Sequence, residues 1–292
     1  AAVSSTLAWF TMQQDASVND MELGAASEGL DLQISTDNTN WGYVVTVASP
    51  NGALLKPTTF DKSGTAFKEL AFDTDATNED KNKFKYVDTT AIEPGATTGE
   101  GYLTFDLYFK SSNENIKNLY LNITESLLST DLENKTILST VRMMFIVQED
   151  TSSSSLTAYD STNTLIYEPN YEETSTYGNG AYFLQANNYI AANAFTHTSY
   201  KFLNDELTDG YYTLNDTFFA DRKYTTKNDN DATTIDTDEK GLLITNTMEA
   251  NTVLKVKVCI WLEGWDGDTN NTVSLANFVA KLKFTATEAS EE

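Results

Sequence analysis

Apolar side chains recur at every second position through long stretches of this chain. Leu103, Phe105, Leu107 and Phe109 alternate with Tyr102, Thr104, Asp106, Tyr108 and Lys110. Leu254, Val256, Val258, Ile260 and Leu262 alternate with Lys255, Lys257, Cys259, Trp261 and Glu263, and Phe278, Ala280, Leu282, Phe284 and Ala286 alternate with Val279, Lys281, Lys283 and Thr285. A period of two puts one set on each face of a strand, so the pattern predicts half-buried strands with one wet face. Further strands are predicted over 30–35, 42–48, 83–88, 119–123, 137–148, 181–185 and 241–246, where Thr, Tyr, Val and Phe suit a pleated surface. No long stripe of helical period with caps is present; the best short helical candidate is 199–207. Wet-faced strands without intervening helices predict an all-β fold: an antiparallel two-sheet, jelly-roll-like sandwich.

The middle of the chain breaks this rhythm. Residues 149–179 and 215–240 are rich in Ser, Thr, Asn and Asp, including EDTSSSS and NDNDATTIDTDEK. Structureless loops of that length are uncommon in a compact core. The region 149–240 is therefore expected to be an insertion of long loops. The alternative is a small subdomain with Tyr182, Phe183, Phe202, Tyr211, Tyr212, Phe218 and Phe219 as its own apolar patch. The first residues, AAVSSTLAWFTM, are apolar and rich in small side chains, and the polar run 13–22 comes after them. A chain end of this kind is expected to be held in a sheet, its own or that of another copy. The resulting division is 1–22, a strand-forming segment with its linker, and 23–292, the sandwich with its insertion.

At 292 residues, 40% hydrophobic and 12% aromatic, the chain has enough apolar surface for a large core. Its net charge of −24 repels nucleic acid and anionic membranes, so neither is an expected partner. A single cysteine, Cys259, rules out a disulfide framework and a thiolate zinc site, and a single histidine, His197, rules out an HExxH helix. No apolar run approaches the roughly 20 residues that span a bilayer as a helix. Opening on Ala-Ala, the chain reads as a mature exported form already cut after a small-residue site.

Little in the sequence points to catalysis. His197 has no second histidine with which to share a metal, no GxSxG elbow is present, and abundant serines and aspartates carry no information about a triad. No enzyme activity and no resident cofactor are expected. One acidic group, Glu263, Asp266 and Asp268 with Asn270 and Asn271 nearby, offers oxygen ligands on a turn and is a weak calcium candidate. The same Asp-Gly and Gly-Asp pairs are ordinary hairpin residues. The stretch 229–231 with Asp236, Asp238 and Glu239 is weaker still. Trp261 and Trp265 flank Glu263, and Trp41 opens an early strand; exposed, they would make a sugar-binding platform, and otherwise they pack at strand rims.

The order of several short motifs resembles one family. STLAWFT at 5–11, a polar gap and LDLQIS at 30–35 look like the TasA/camelysin family of biofilm-matrix fibre proteins, released by the signal peptidase SipW. There a TxAxFT-type segment comes after the signal peptide and a GTLDL-type strand comes next, the place taken here by Ser27-Glu28-Gly29-Leu30-Asp31-Leu32. YLTFDLYFKSS at 102–112, Val141-Arg142 and WLEGWDGDTNN at 261–271 are similar to large members from gut Gram-positive bacteria. The resemblance implies a jelly roll that is secreted or displayed at the cell surface of a Gram-positive bacterium. It also implies a head-to-tail homopolymer, with other matrix or cell-wall components as further candidate partners. In the fibre formers an N-terminal strand completes the sheet of the next subunit. Carried to this chain, the donated side chains are Val3, Leu7 and Trp9, with Phe10 on the opposite parity. The alternatives are a strand paired within its own domain, a monomeric adhesin or carbohydrate-binding protein and, more distantly, a camelysin-like protease, against which the lone His197 argues.

Overall fold

The computed structural model describes residues 16–18, 20–25, 31–50, 53–61, 66–73, 83–112, 115–122, 127–129, 140–148, 164–168, 201–203, 211–213, 225–226, 235–236, 241–245, 248–264 and 276–288. Strand is nearly the only regular structure among them. In chain order the strands are β1 (Ala16–Val18), β2 (Met21–Ala25), β3 (Leu32–Ser35), β4 (Val44–Val47), β5 (Leu54–Leu55), β6 (Pro57–Asp61) and β7 (Ala66–Asp73). Next come β8 (Lys83–Asp88), β9 (Thr90–Ile92), β10 (Glu100–Ser111), β11 (Ile116–Asn122), β12 (Leu127–Ser129), β13 (Val141–Gln148) and β14 (Thr164–Glu168). The last are β15 (Lys201–Leu203), β16 (Tyr211–Thr213), β17 (Thr225–Thr226), β18 (Ile235–Asp236), β19 (Gly241–Thr245), β20 (Leu254–Glu263) and β21 (Ala276–Glu288).

The all-β sandwich expected from the alternation is the fold of the protein. One sheet runs β14–β13–β20–β10–β3, antiparallel throughout. The other runs β4–β2–β21–β11–β19–β18, with β2 parallel to β21 and the remaining pairs antiparallel. The sheets are thus mixed rather than purely antiparallel. Register places the apolar sets in rows: Leu103 beside Ile260 beside Met143, then Phe105, Val258 and Phe145, then Leu107, Val256 and Val147. Against these rows the second sheet packs Met21, Leu23, Leu119, Leu121, Leu282 and Phe284, all in the same buried cluster. Phe284 bridges the sheets, its ring 4.9 Å from that of Phe109 and 6.2 Å from that of Phe145.

Several expectations need correction. β20 has no wet face: Lys255, Lys257, Cys259, Trp261 and Glu263 are buried, as are Arg142, Met144 and Ile146 beside them on β13. At one end the cover is visible, because β6 pairs with the end of β20 and β7 folds back on β6. Phe67 of β7 then sets its ring 3.9 Å from Tyr102 and 5.1 Å from Trp261. The region 149–240 is not merely looped: β14 joins β13 in the first sheet, β15 joins β8, β17 joins β14 and β18 joins β19. Within the helical candidate 199–207, Lys201–Leu203 is a strand paired with β16. Predicted strand 181–185 lies outside the described residues, and so does the side chain of Phe278.

Three strands converge on Gly101. It pairs with Leu55 on β5 and with Thr90 on β9, and its carbonyl accepts from the Lys56 backbone N–H at 2.9 Å. Its φ is +154°, and a Cβ there would collide with the Thr90 carbonyl oxygen and lie 2.9 Å from Thr89 Oγ1. Only glycine fits so close an approach of backbones. Gly101→Ala is expected to cost at least about 1–3 kcal/mol, as overpacking does, read as a lower midpoint in denaturant unfolding. Gly95→Ala, whose Cβ would meet nothing within 4 Å, is the control for positive φ without a clash.

Candidate functional site

Val3, Leu7, Trp9 and Phe10, the side chains expected to be donated to a neighbour, lie outside the described residues. The first two strands among the described residues correct the idea of a free tether over 13–22. β1 runs parallel to β21 with Val18 beside Phe278, and β2 continues along it with Leu23 beside Leu282. Met21, Leu23 and Ala25 are buried, so alternation hidden within a polar-looking run anchors the segment to its own second sheet. A domain boundary at residue 22 would therefore fall inside β2. Only 13–15 remain between the apolar opening and β1, a reach of about 10 Å at 3.3–3.6 Å per residue. Any strand donated by residues 1–12 must enter its acceptor close to Ala16, which itself pairs with Leu55 and Ala276.

β4 is the outer strand of the second sheet. β2 pairs with one of its edges, with Met21 beside Val47 and Gly24 beside Val44; Gly42 just before it exchanges two backbone hydrogen bonds with Ile34 of β3, and among the described residues no further ladder pairs with Val44–Val47. Its sequence, VVTV, contains no charge and no proline, the usual guards of an open edge. Tyr43 and Val44 are the large apolar side chains most exposed among the described residues, at 58% and 60%.

Polar contacts hold this edge in place. Antiparallel pairing of β3 with the end of β10 sets Ser111 beside Leu32 and so brings Ser112 to Asp31. The Asp31 carboxylate accepts from Ser112 Oγ, from Tyr43 Oη at 2.6 Å and from Gln33 Nε2 at 3.1 Å. Those bonds, Ser112 first, hold its pKa below the ordinary carboxylate value, and the same carboxylate raises that of Tyr43. In the turn between β3 and β4, Asp37 accepts from the backbone N–H groups of Asn40 at 2.7 Å and Thr39 at 2.8 Å, and Asn38 takes a left-handed φ of 58°. Bonds from Asn40, then Thr39 and Ser35, press the Asp37 pKa far down. Lys110 lies over the Trp41 ring at 4.2 Å.

These depressions set the sign of the pH dependence. A carboxylate whose pKa is lower in the folded chain adds stability that is complete above its unfolded value, about 4, and is lost as pH falls below it. The Thr39 and Asn40 amides are expected to stay protected from exchange down to about pH 4 and to open progressively below it. Asp37→Asn should remove that pH dependence, which two-dimensional NMR exchange rates would read.

Of the calcium candidates, Glu263 ends β20 fully buried, its Oε2 accepting from Trp261 Nε1 at 3.0 Å, while Asp266 and Asp268 lie outside the described residues. Among the described residues no group of three or more His, Cys, Asp or Glu is placed to hold a metal ion. Trp261 is 0% exposed under Phe67 and cannot serve as an open sugar platform; Trp265 and His197 lie outside the described residues. The Cys259 thiol is buried beside Thr104 Oγ1 at 3.5 Å, and burial pushes its pKa up to about 12, which withholds the thiolate needed for nucleophilic work.

Compared with known proteins, the chain matches no family model, no curated protein and no solved structure.

Proposed function

We propose that this chain is a non-enzymatic structural subunit of an extracellular filament, displayed by or released from a Gram-positive bacterium. Residues 1–12 of one copy would form a strand on the next, with Val3, Leu7 and Trp9 as the inserted side and Phe10 on the opposite face. The observation that carries this reading is the β4 edge, uncharged, without a second ladder among the described residues, and carrying the exposed Tyr43 and Val44 at its start. An added strand satisfies the backbone groups of such an edge while alternate side chains fill neighbouring pockets. The sequence resemblance to TasA/camelysin fibre proteins in residues 5–11 and 30–35 supports the same reading. Because the contact joins two different surfaces, it need not close on itself, and repeated along the chain of copies it builds a filament. Burying Val3, Leu7 and Trp9 supplies several kcal/mol at roughly 25 cal/mol per Å², before the cost of association.

Two variants test this against the full-length chain. Deletion of residues 1–12 and, separately, Val44→Lys should each leave the far-ultraviolet circular dichroism unchanged and abolish filaments in negative-stain images and sedimentation. A free peptide of residues 1–12 should block assembly of the full-length chain. Filaments from the truncated protein would overturn strand donation by this segment. A truncated chain that cannot fold would show the segment to be self-paired.

A further inference from the structure

The outer face of β10 forms the floor of an open cavity of about 740 Å³, walled by the end of β4 and the turn after β9. Its size lies in the range of small-ligand sites. From the floor rise Tyr102, Thr104, Asp106 and Tyr108, every second residue of β10, with Lys257 of β20 beside them and Glu93 on the wall. We propose that this cavity binds a neutral, hydroxyl-rich ligand of the oligosaccharide class. The inference rests on the cavity alone, so a chain that failed to assemble would still bind.

Three features select that chemistry. First, hydrogen-bonding capacity remains after the internal contacts are made. Asp106 accepts from Lys255 Nζ at 3.0 Å through Oδ2 and from Lys257 Nζ at 2.8 Å through Oδ1, and each oxygen has a further lone pair. Lys257 spends one of its three donors on that bond. The carboxylate is fixed by its two lysines before any ligand arrives, so a hydroxyl meets a preset acceptor beside a preset donor, at little ordering cost. Second, the lysines beside the cavity are neutralised. Lys255 and Lys257 both bond Asp106, and Glu93 on the wall belongs to a chain that, at −24, repels anions. A strongly anionic ligand therefore finds no surplus of positive charge. Third, the groove is long, and one of the aromatics on its floor is open to it. Tyr102 and Tyr108 are six residues apart on one strand, about 20 Å at ~3.3 Å per residue, a length that suits a short chain of sugars better than a single one. Tyr102 is buried against Phe67, whereas Tyr108 is only partly buried, with Lys255 Nζ 5.9 Å from its ring, and turns its remaining aromatic surface to the cavity, where the apolar face of a sugar ring can stack.

The experiment is calorimetric titration of the full-length protein with tetra- to hexasaccharide fragments of neutral polysaccharides (β-glucan, mannan, xylan and chitin), with a polyuronic acid fragment as the anionic probe. At least one neutral fragment should bind. Tyr108→Ala should weaken it by about tenfold or more, and Glu93→Ala, at an exposed wall position, should weaken it measurably. Glu249→Ala, at an exposed position outside the cavity, should leave binding unchanged. Circular dichroism checks each fold, and Glu93→Ala decides the matter if Tyr108→Ala misfolds. No binding of any neutral fragment at millimolar concentration, tighter binding of the polyuronic fragment, or full binding by both cavity variants would each overturn the proposal.

Discussion

Phe284→Ala is expected to lower stability by about 3–5 kcal/mol, the range for emptying a fully buried aromatic site. Phe284 is 0% exposed and stands where three strands of the second sheet meet, paired in register with Ala25 of β2 and Leu121 of β11. Its ring meets Phe109 edge-on at 66° and Phe145 at 80°, both from the opposite sheet. Edge contacts of this kind add to the transfer term. Truncation would therefore open a cavity between two sheets whose backbones are fixed by their own ladders and cannot collapse to fill it. Phe284→Leu, which keeps most of the volume, should recover more than half of the loss. Denaturant unfolding of the three proteins reads the difference, and a loss below about 1 kcal/mol for the alanine variant would mean that the sheets slide together to close the gap.

The inner face of this sandwich was legible because it obeys a local rule. Leu103 to Phe109 and Val256 to Ile260 alternate without interruption, and alternation alone says which side is buried. The outer face was not legible. Lys255 and Lys257 read as solvated because charge at alternate positions looks the same whether water or a carboxylate neutralises it. Their partner, Asp106, lies 151 residues from Lys257, so only strand register brings them together. β2 was missed for another reason: MELGA contains Glu and Gly, poor strand formers, and becomes a strand through its parallel pairing with β21. β7, AFKELAFD, carries no clean alternation and is held as a strand by β6 on one side and β8 on the other. The candidate edge was half legible. The strand after Trp41 was expected over 42–48, but nothing local to VVTV says that it ends a sheet, which is a property of what its neighbours leave unpaired.

Asp106→Ala is expected to cost about 3 kcal/mol, the lower end of the range for removing one partner of a buried ion pair. The side chains of Lys255 and Lys257 are 3% and 8% exposed, and Asp106 is 23% exposed where it meets the cavity. Removing the carboxylate takes from two buried ammonium groups the anion that both contact, while an opening to water at Asp106 moderates the loss. Asp106→Asn keeps an acceptor and the shape of the side chain, so it should cost less than the alanine variant. The test of mechanism is compensation. If unpaired charge is the source of the loss, Lys257→Met in the Asp106→Ala background should restore part of the stability, although Lys257→Met alone destabilises. Lys257 is the better choice for that cycle, because Lys255 has further interactions, including the Tyr108 ring at 5.9 Å. A coupling of at least about 1 kcal/mol between positions 106 and 257, little changed by added salt, would identify a desolvated pair. Additive losses would instead mean that water entering through the cavity already solvates Lys257. The carboxylate would then be positioned for what occupies the cavity rather than for stability.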